Sequence, residues 1–198
     1  MLKEGDKAPP FQLASDEGGT VSLRDFAGKA LVLYFYPRDN TPGCTREAQA
    51  FTAARRAIEK AGGAVVGVSR DSLKSHQGFR EKCKLGITLL SDPDLAVHKA
   101  YGAWGEKTMY GKKIEGVLRS TFIVKDGKIA RAFPNVKVDG HADAVLAALS
   151  GAPGPSKAAG AAKKAAAKVK SGAKKVAAKA EKVASKAKKA AGAKTRRA

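Results

Sequence analysis

The run Ala30-Leu31-Val32-Leu33-Tyr34-Phe35-Tyr36, continued at once by Pro37-Arg38-Asp39-Asn40-Thr41-Pro42-Gly43-Cys44-Thr45-Arg46-Glu47, decides how this chain folds. Seven consecutive apolar residues read as a strand covered on both faces. The segment Glu47 to Lys60 that follows places Ala48, Phe51, Ala54 and Ile58 on one side, the pattern of a helix with one buried face. Thr41 is a good N-cap and Pro42 a good first helical residue. Cys44 then falls in the first turn, where backbone N–H groups lack intrahelical partners and the helix dipole favours an anion. A thiolate, the nucleophilic form of cysteine, is favoured there. The plainer reading is a buried cysteine that fills space.

Outward from this junction the chain alternates strands and helices. Toward the N-terminus, Lys7 to Leu13 is extended by its prolines, Gly18-Gly19 turns, and Val21-Ser22-Leu23 alternates as a strand. Asp25 to Lys29 connects to the apolar run. Gly62-Gly63 ends the Cys44 helix, and Ala64 to Ser69 is the next buried strand. Ser72 to Lys84 reads as a helix capped by Asp71 or Ser72. Thr88-Leu89-Leu90 is a short strand, Pro93 to Tyr101 a short helix, and Gly102 to Gly116 a Gly- and Lys-containing loop. Arg119 to Val124 is a strand that turns at Asp126-Gly127 and returns through Lys128 to Phe133. A last helix opens at Asp139 or Gly140 and runs through Val145, Leu146 and Leu149. The order predicts an α/β fold of thioredoxin-like type, a mixed central sheet with helices on both faces.

The chain has 198 residues, and its charge is uneven. Residues 1–150 hold 23 Lys and Arg against 17 Asp and Glu, whereas residues 151–198 hold 15 against Glu181 alone. The net charge of +20 therefore belongs mostly to the tail. Two domains follow: a folded unit over 1–150, long enough for a full core, and a basic Lys/Ala-rich tail over 151–198, joined by the Gly/Pro/Ser linker Ser150 to Ser156. The tail has no aromatic residue and no Leu, Ile or Phe, so it cannot bury a core and is expected to be disordered when free. Two cysteines argue against a secreted disulfide scaffold. The early acids Glu4 and Asp6 do not fit a signal peptide, and no run is long and apolar enough to span a bilayer. The expectation is a cytoplasmic protein with no membrane partner, a monomer or weak dimer. His76, His98 and His141 lack ligand spacing, so surface or core positions are expected rather than a metal site.

Pro37-x-x-x-Thr41-x-x-Cys44 resembles the active-site signature of the peroxiredoxins. The longer stretch Tyr36 to Ala48 is similar to the branch called bacterioferritin comigratory protein or peroxiredoxin Q. So are Gly67-Val68-Ser69-x-Asp71-Ser72, Leu89 to Asp92, Tyr101-Gly102-x-Trp104-Gly105-Glu106-Lys107 and Arg119 to Ile123, in the same order. The resemblance covers roughly residues 3–149. It implies that Cys44 is the peroxidatic cysteine, that the Thr41 hydroxyl bridges thiolate and peroxide, that Pro37 shields the site from water, and that Arg119 reaches the cysteine from a distant strand. Gly43 and Cys44 would present backbone N–H groups to the substrate. The activity it implies is thiol-dependent reduction of hydrogen peroxide and alkyl hydroperoxides, without metal, haem or flavin, using thioredoxin or a similar dithiol protein as reductant. The residue types suit this: cleaving O–O needs a nucleophile, and Arg119 supplies fixed donors that never lose their proton.

The pattern departs from the family in one place. In one common form of the branch a resolving cysteine lies five residues after the peroxidatic one, and here that position is Gln49. Cys83 is the remaining candidate. It can resolve Cys44 within the chain, resolve a partner subunit, or take no part if an external thiol reduces Cys44 directly.

The tail resembles those of linker-histone-like proteins, and it predicts non-specific DNA binding through phosphates and a nucleoid association. The plainer reading is a solubilising polycation. Two functions follow from the whole chain: a thiol peroxidase localised by its tail, or a nucleoid-associated DNA-binding protein whose thioredoxin-like domain senses oxidation. A disulfide oxidoreductase fits less well, because Cys44 has no C-x-x-C partner.

Overall fold

A computed structural model of the chain describes residues 1–109 and 112–151. The tail reading, from residue 152 onward, lies outside the described residues. The apolar run forms β3 (Ala30–Phe35), an inner strand of a seven-stranded sheet. Around it lie β1 (Gln12–Ser15), β2 (Thr20–Ser22), β4 (Gly63–Ser69), β5 (Thr88–Ser91), β8 (Ser120–Lys125) and β9 (Lys128–Phe133). The order across the sheet is β2-β1-β5-β4-β3-β8-β9. β3, β4 and β5 are parallel, while β8 pairs antiparallel with β3 and with β9, and β1 antiparallel with β5.

Because strand side chains alternate, β3 supplies two separate cores. Leu31, Leu33 and Phe35 face one layer, together with Val97 and Tyr101 around helix α3 (Ala96–Ala100). Val32, Tyr34 and the following Tyr36 face the other, against α1 (Pro42–Lys60), α2 (Leu73–Cys83) and α4 (His141–Leu149). Helices thus cover both faces of a mixed sheet, and the thioredoxin-like α/β arrangement is present.

Three local readings are corrected. Leu23 is not in a strand: β2 stops at Ser22, whose N–H donates to Asp25 Oδ2 (2.7 Å) at the start of a 3-10 turn over Leu23–Phe26. The segment expected as a loop after Gly102 is a hairpin, β6 (Trp104–Met109) with β7 (Lys112–Val117), in register from Trp104↔Val117 to Met109↔Lys112. Its root is anchored by buried Val117 and by Trp104 packed on the core, and that anchorage holds a two-stranded ribbon that is marginal alone. Arg119 lies one residue before β8, not within it.

Glycine matters most at Gly67 in β4. It is the register partner of Tyr34, and a Cβ there would come within 2.6 Å of the Tyr34 ring. The missing side chain lets that ring lie flat over the strand, within 4.8 Å of Phe51 and 5.4 Å of Tyr36 between centroids.

Candidate active site

Thr41 occupies the N-cap of α1 and Pro42 the first helical position, which puts Cys44 in the first turn. The cap differs from the usual one. Thr41 makes no side-chain cap bond, and its hydroxyl instead donates to the Arg38 carbonyl at 3.1 Å. The first intrahelical bond runs from the Thr45 N–H to the Thr41 carbonyl, 2.9 Å. The N–H groups of Gly43 and Cys44 belong to the turn that has no intrahelical acceptors.

The Cys44 side chain belongs to the core layer beneath α1, with only 1% of the residue exposed. Arg119, 75 residues further on, donates from Nη2 to Cys44 Sγ at 3.1 Å. β8 pairs with β3 so that Ser120 stands opposite Phe35, which brings the residue before β8 to the end of β3 from which α1 departs. Pro37 is half-buried beside this junction and Thr41 likewise. The structure therefore brings Pro37, Thr41, Gly43, Cys44 and Arg119 to one end of the sheet.

Glu47 is the member of this group that sequence reasoning gave no role. One helical turn past Cys44, its carboxylate is buried and pairs with Arg119 Nη1. Burial pushes its carboxyl up from 4.5 to about 6, more than the Arg119 charge and hydrogen bond pull it down. Burial pulls the Arg119 guanidinium down, and the charges of Glu47 and Cys44 outweigh that and leave it raised. One guanidinium thus bridges a carboxylate and a sulfur. Two buried oxygens nearby, Tyr34 Oη and Glu47 Oε1, have no hydrogen-bond partner among the described residues. Burial, then the Glu47 and Cys44 charges, push the Tyr34 phenol well up, so it stays neutral. His141 pairs with Thr121 (Nε2 to Oγ1, 2.8 Å), and burial followed by the Arg119 charge pulls it down to about 4.

All three histidines are buried, so none takes the surface position that the sequence allowed. His76 pairs with Asp39 at 2.8 Å and His98 with Asp92 at 2.7 Å. Cys83 is the last residue of α2, half-buried against the same core layer as Cys44, and both cysteines are free thiols. Gln49 is exposed.

Comparison with known proteins gives the family. Residues 4–132 match the AhpC/TSA family. The chain is 51% identical over 134 residues to the peroxiredoxin Bcp of Xanthomonas campestris, covering 67% of this chain and 84% of that one. It is 42% identical over 146 residues to the peroxiredoxin Bcp of Escherichia coli, covering 73% and 94%. The solved structure of Xanthomonas campestris peroxiredoxin Q superposes with a TM-score of 0.68 at 47% identity, over 71% of this chain and 90% of that one. A further structure of the Xanthomonas campestris bacterioferritin comigratory protein, described for its alkyl peroxide reduction activity, gives 0.68 at 46% identity over the same shares. A buried cysteine in a first helical turn, an arginine on its sulfur and this similarity along the whole folded part have one meaning: the chain belongs to the AhpC/TSA family, as a peroxidase of its bacterioferritin comigratory protein/peroxiredoxin Q group.

Proposed function

We propose that the folded part reduces hydrogen peroxide and alkyl hydroperoxides at Cys44. The observation that carries this is the Arg119 guanidinium donating to the buried Cys44 sulfur. The Cys44 thiolate attacks one peroxide oxygen; an S–O bond forms as the O–O bond breaks. The leaving oxygen takes a proton and departs as water or alcohol, and Cys44 becomes the sulfenic acid. Arg119 and the N–H groups of Gly43 and Cys44 stabilise the charge that builds on the two oxygens. The Thr41 hydroxyl, donating to Arg38, still has lone pairs free to accept from the peroxide proton. Pro37 adds no N–H and keeps water from one side of the turn.

Cys83 then condenses with the sulfenic acid, forming an S–S bond and releasing water. A dithiol protein of thioredoxin type reduces the disulfide. Both cysteines lie in one core layer, which supports the pairing. A disulfide needs Cα atoms about 4.4–6.8 Å apart. Cys44 sits in a first turn and Cys83 at a helix end, the two places where a helix frays most readily. Turnover of peroxide with a thioredoxin system, in Cys44→Ser and Cys83→Ser variants, tests both roles. Cys44→Ser abolishes turnover; Cys83→Ser keeps the first reaction and slows recycling. Peptide mapping under non-reducing conditions finds Cys44 linked to Cys83 after one equivalent of peroxide. A stable sulfenic acid with no linked peptides would leave an external thiol as the resolving group, and a linkage between chains would make it a partner subunit.

For residues 151–198 the reading is non-specific binding to nucleic acid, carried by 15 Lys and Arg against one acid. If ~8 cations engage duplex phosphates, log K falls with a slope of about −7 against log salt. Gel shifts of residues 1–150 and the full chain across a salt series decide it; equal shifts remove the role. A redox-sensing DNA-binding protein would instead consume a single equivalent of peroxide without turning over. Among the described residues no helix is long and apolar enough to cross a membrane.

A further inference from the structure

The turn that delivers Cys44, residues 36–41, is fastened to α2 by a buried polar cluster outside the peroxide-binding groups. Asp39 is at its centre. Its carboxylate accepts from Tyr36 Oη (2.8 Å) and Ser75 Oγ (2.7 Å), and lies 2.8 Å from His76 Nδ1. Its N–H donates to Asp71 Oδ2 (2.9 Å), which also accepts from Ser69 Oγ (2.8 Å). The Asp39 and His76 side chains are 2% and 0% exposed. Burial alone would push the Asp39 carboxyl up, but hydrogen bonds from His76, Ser75 and Tyr36 bring it below the usual carboxylate range. An ionised carboxylate only accepts, so Nδ1 is the His76 donor.

Two features set this cluster apart from packing. Asn40, between Asp39 and the N-cap, has φ 57°, a left-handed conformation that persists where its surroundings over-determine it. And His76 Nε2 is buried without a partner among the described residues, an arrangement that stability alone does not explain. Only four residues separate Asp39 from Cys44, Thr41 and Gly43 among them, so a shift of Asp39 displaces the groups that meet the peroxide.

We propose that His76, acting through the Asp39 carboxylate, is a positioning residue that holds the Cys44 turn in its reactive shape. It touches neither peroxide nor sulfur. Its effect passes from α2 to Asp39, from Asp39 to the strained Asn40, and so to the first turn of α1. This inference rests on Cys44 being the residue that peroxide oxidises.

The test uses the full chain, hydrogen peroxide as probe, and two readouts: the single-turnover rate constant for Cys44 oxidation and the thermal midpoint. In His76→Leu the donor is lost and the rate constant falls at least about tenfold, since a misplacement of about 1 Å can cost 10²-fold. In His76→Asn the side-chain amide reaches the position of Nδ1, and the rate stays within about threefold of wild type. A wild-type rate in His76→Leu overturns the proposal. So does an equal loss in folded His76→Leu and His76→Asn, which would assign the effect to shape rather than to the donor. If His76→Leu does not fold, Asp39→Ala decides: a drop of about tenfold supports the clasp, and an unchanged rate overturns it. Cys44→Ser separates the two claims. Turnover surviving in Cys44→Ser sinks the peroxidatic reading, whereas an inactive Cys44→Ser beside a wild-type rate in His76→Leu sinks the clasp alone.

Discussion

Arg119 Nη2 donates to Cys44 Sγ at 3.1 Å across 75 residues of chain, while Nη1 of the same guanidinium pairs with buried Glu47. The pairing with Glu47 leaves the guanidinium little freedom to swing away. Arg119→Ala removes the cation from the sulfur, and the loss of one such donor is worth about 10²–10³ in rate. It also leaves Glu47 buried without its partner, which destabilises by about 3–5 kcal/mol. Arg119→Lys restores charge but not the two-sided fork, so recovery is partial. Stopped-flow oxidation by hydrogen peroxide, with urea unfolding of the same variants, measures both effects.

Glu47 and His141 give the fold opposite pH dependences. The Glu47 carboxyl is raised from 4.5 to about 6, so its contribution is fully present below pH 4.5 and is lost as pH rises through 6. At 1.36 kcal/mol per pH unit the loss is on the order of 2 kcal/mol. His141 is lowered from 6.5 to about 4, so its contribution is present above pH 6.5 and is lost as pH falls through 4, on the order of 3 kcal/mol. The two partly cancel between pH 4.5 and 6 in the wild type. Unfolding curves of Glu47→Gln and of His141→Gln over pH 4–8 separate them: relative to wild type, Glu47→Gln gains stability with rising pH and His141→Gln gains it with falling pH.

Gly67→Ala drives a methyl group to within 2.6 Å of the Tyr34 ring. Overpacking of this kind costs about 1–3 kcal/mol. The ring is stacked between β4, Phe51 and Tyr36, so the strain is felt in the layer that holds Cys44. A lower thermal midpoint and a changed near-ultraviolet tyrosine signal are the expected outcomes; an unchanged midpoint would mean that the ring moves freely.

Arg80 anchors the last turns of α2 beside β1 and β5. It makes a two-pronged pair with fully buried Asp16, at 2.5 and 3.2 Å, and donates to the Ile87 carbonyl at 2.6 Å. Arg80→Ala strands Asp16, with an expected loss of about 3–5 kcal/mol. Cys83 lies three residues further along, so hydrogen exchange at the end of α2 rises more than in α1. Uniform exchange increases across both helices would contradict this.

What could be read from the sequence was what depends on neighbours in the chain. The apolar run, Thr41-Pro42 and the Asp126-Gly127 turn carry their own local rules, and β3, α1 and the β8–β9 hairpin lie where those rules put them. Trp104 to Val117 was not legible as strands, because its glycines and lysines look like a loop and its apolar anchorage lies at the root, in Trp104 and Val117. Glu47, Asp39 and His76 were not legible as a working set either. A charged residue is surface by default, and each of these is buried only because a partner from a distant element meets it. The signal that existed for Glu47 was its position one turn after Cys44, which puts both on one helix face.

The antiparallel register of β8 on β3, with Ser120 opposite Phe35, is the ruler by which Arg119 is measured onto Cys44. A slip of one residue would move Arg119 by roughly 3.3 Å along the strand and turn it to the opposite side of the sheet. The place of the guanidinium is therefore set by a strand pairing, while the helix sets the place of the sulfur. A chain whose helices have formed but whose β8 has not yet docked lacks the guanidinium at Cys44 Sγ, so the pair is completed only when the sheet closes.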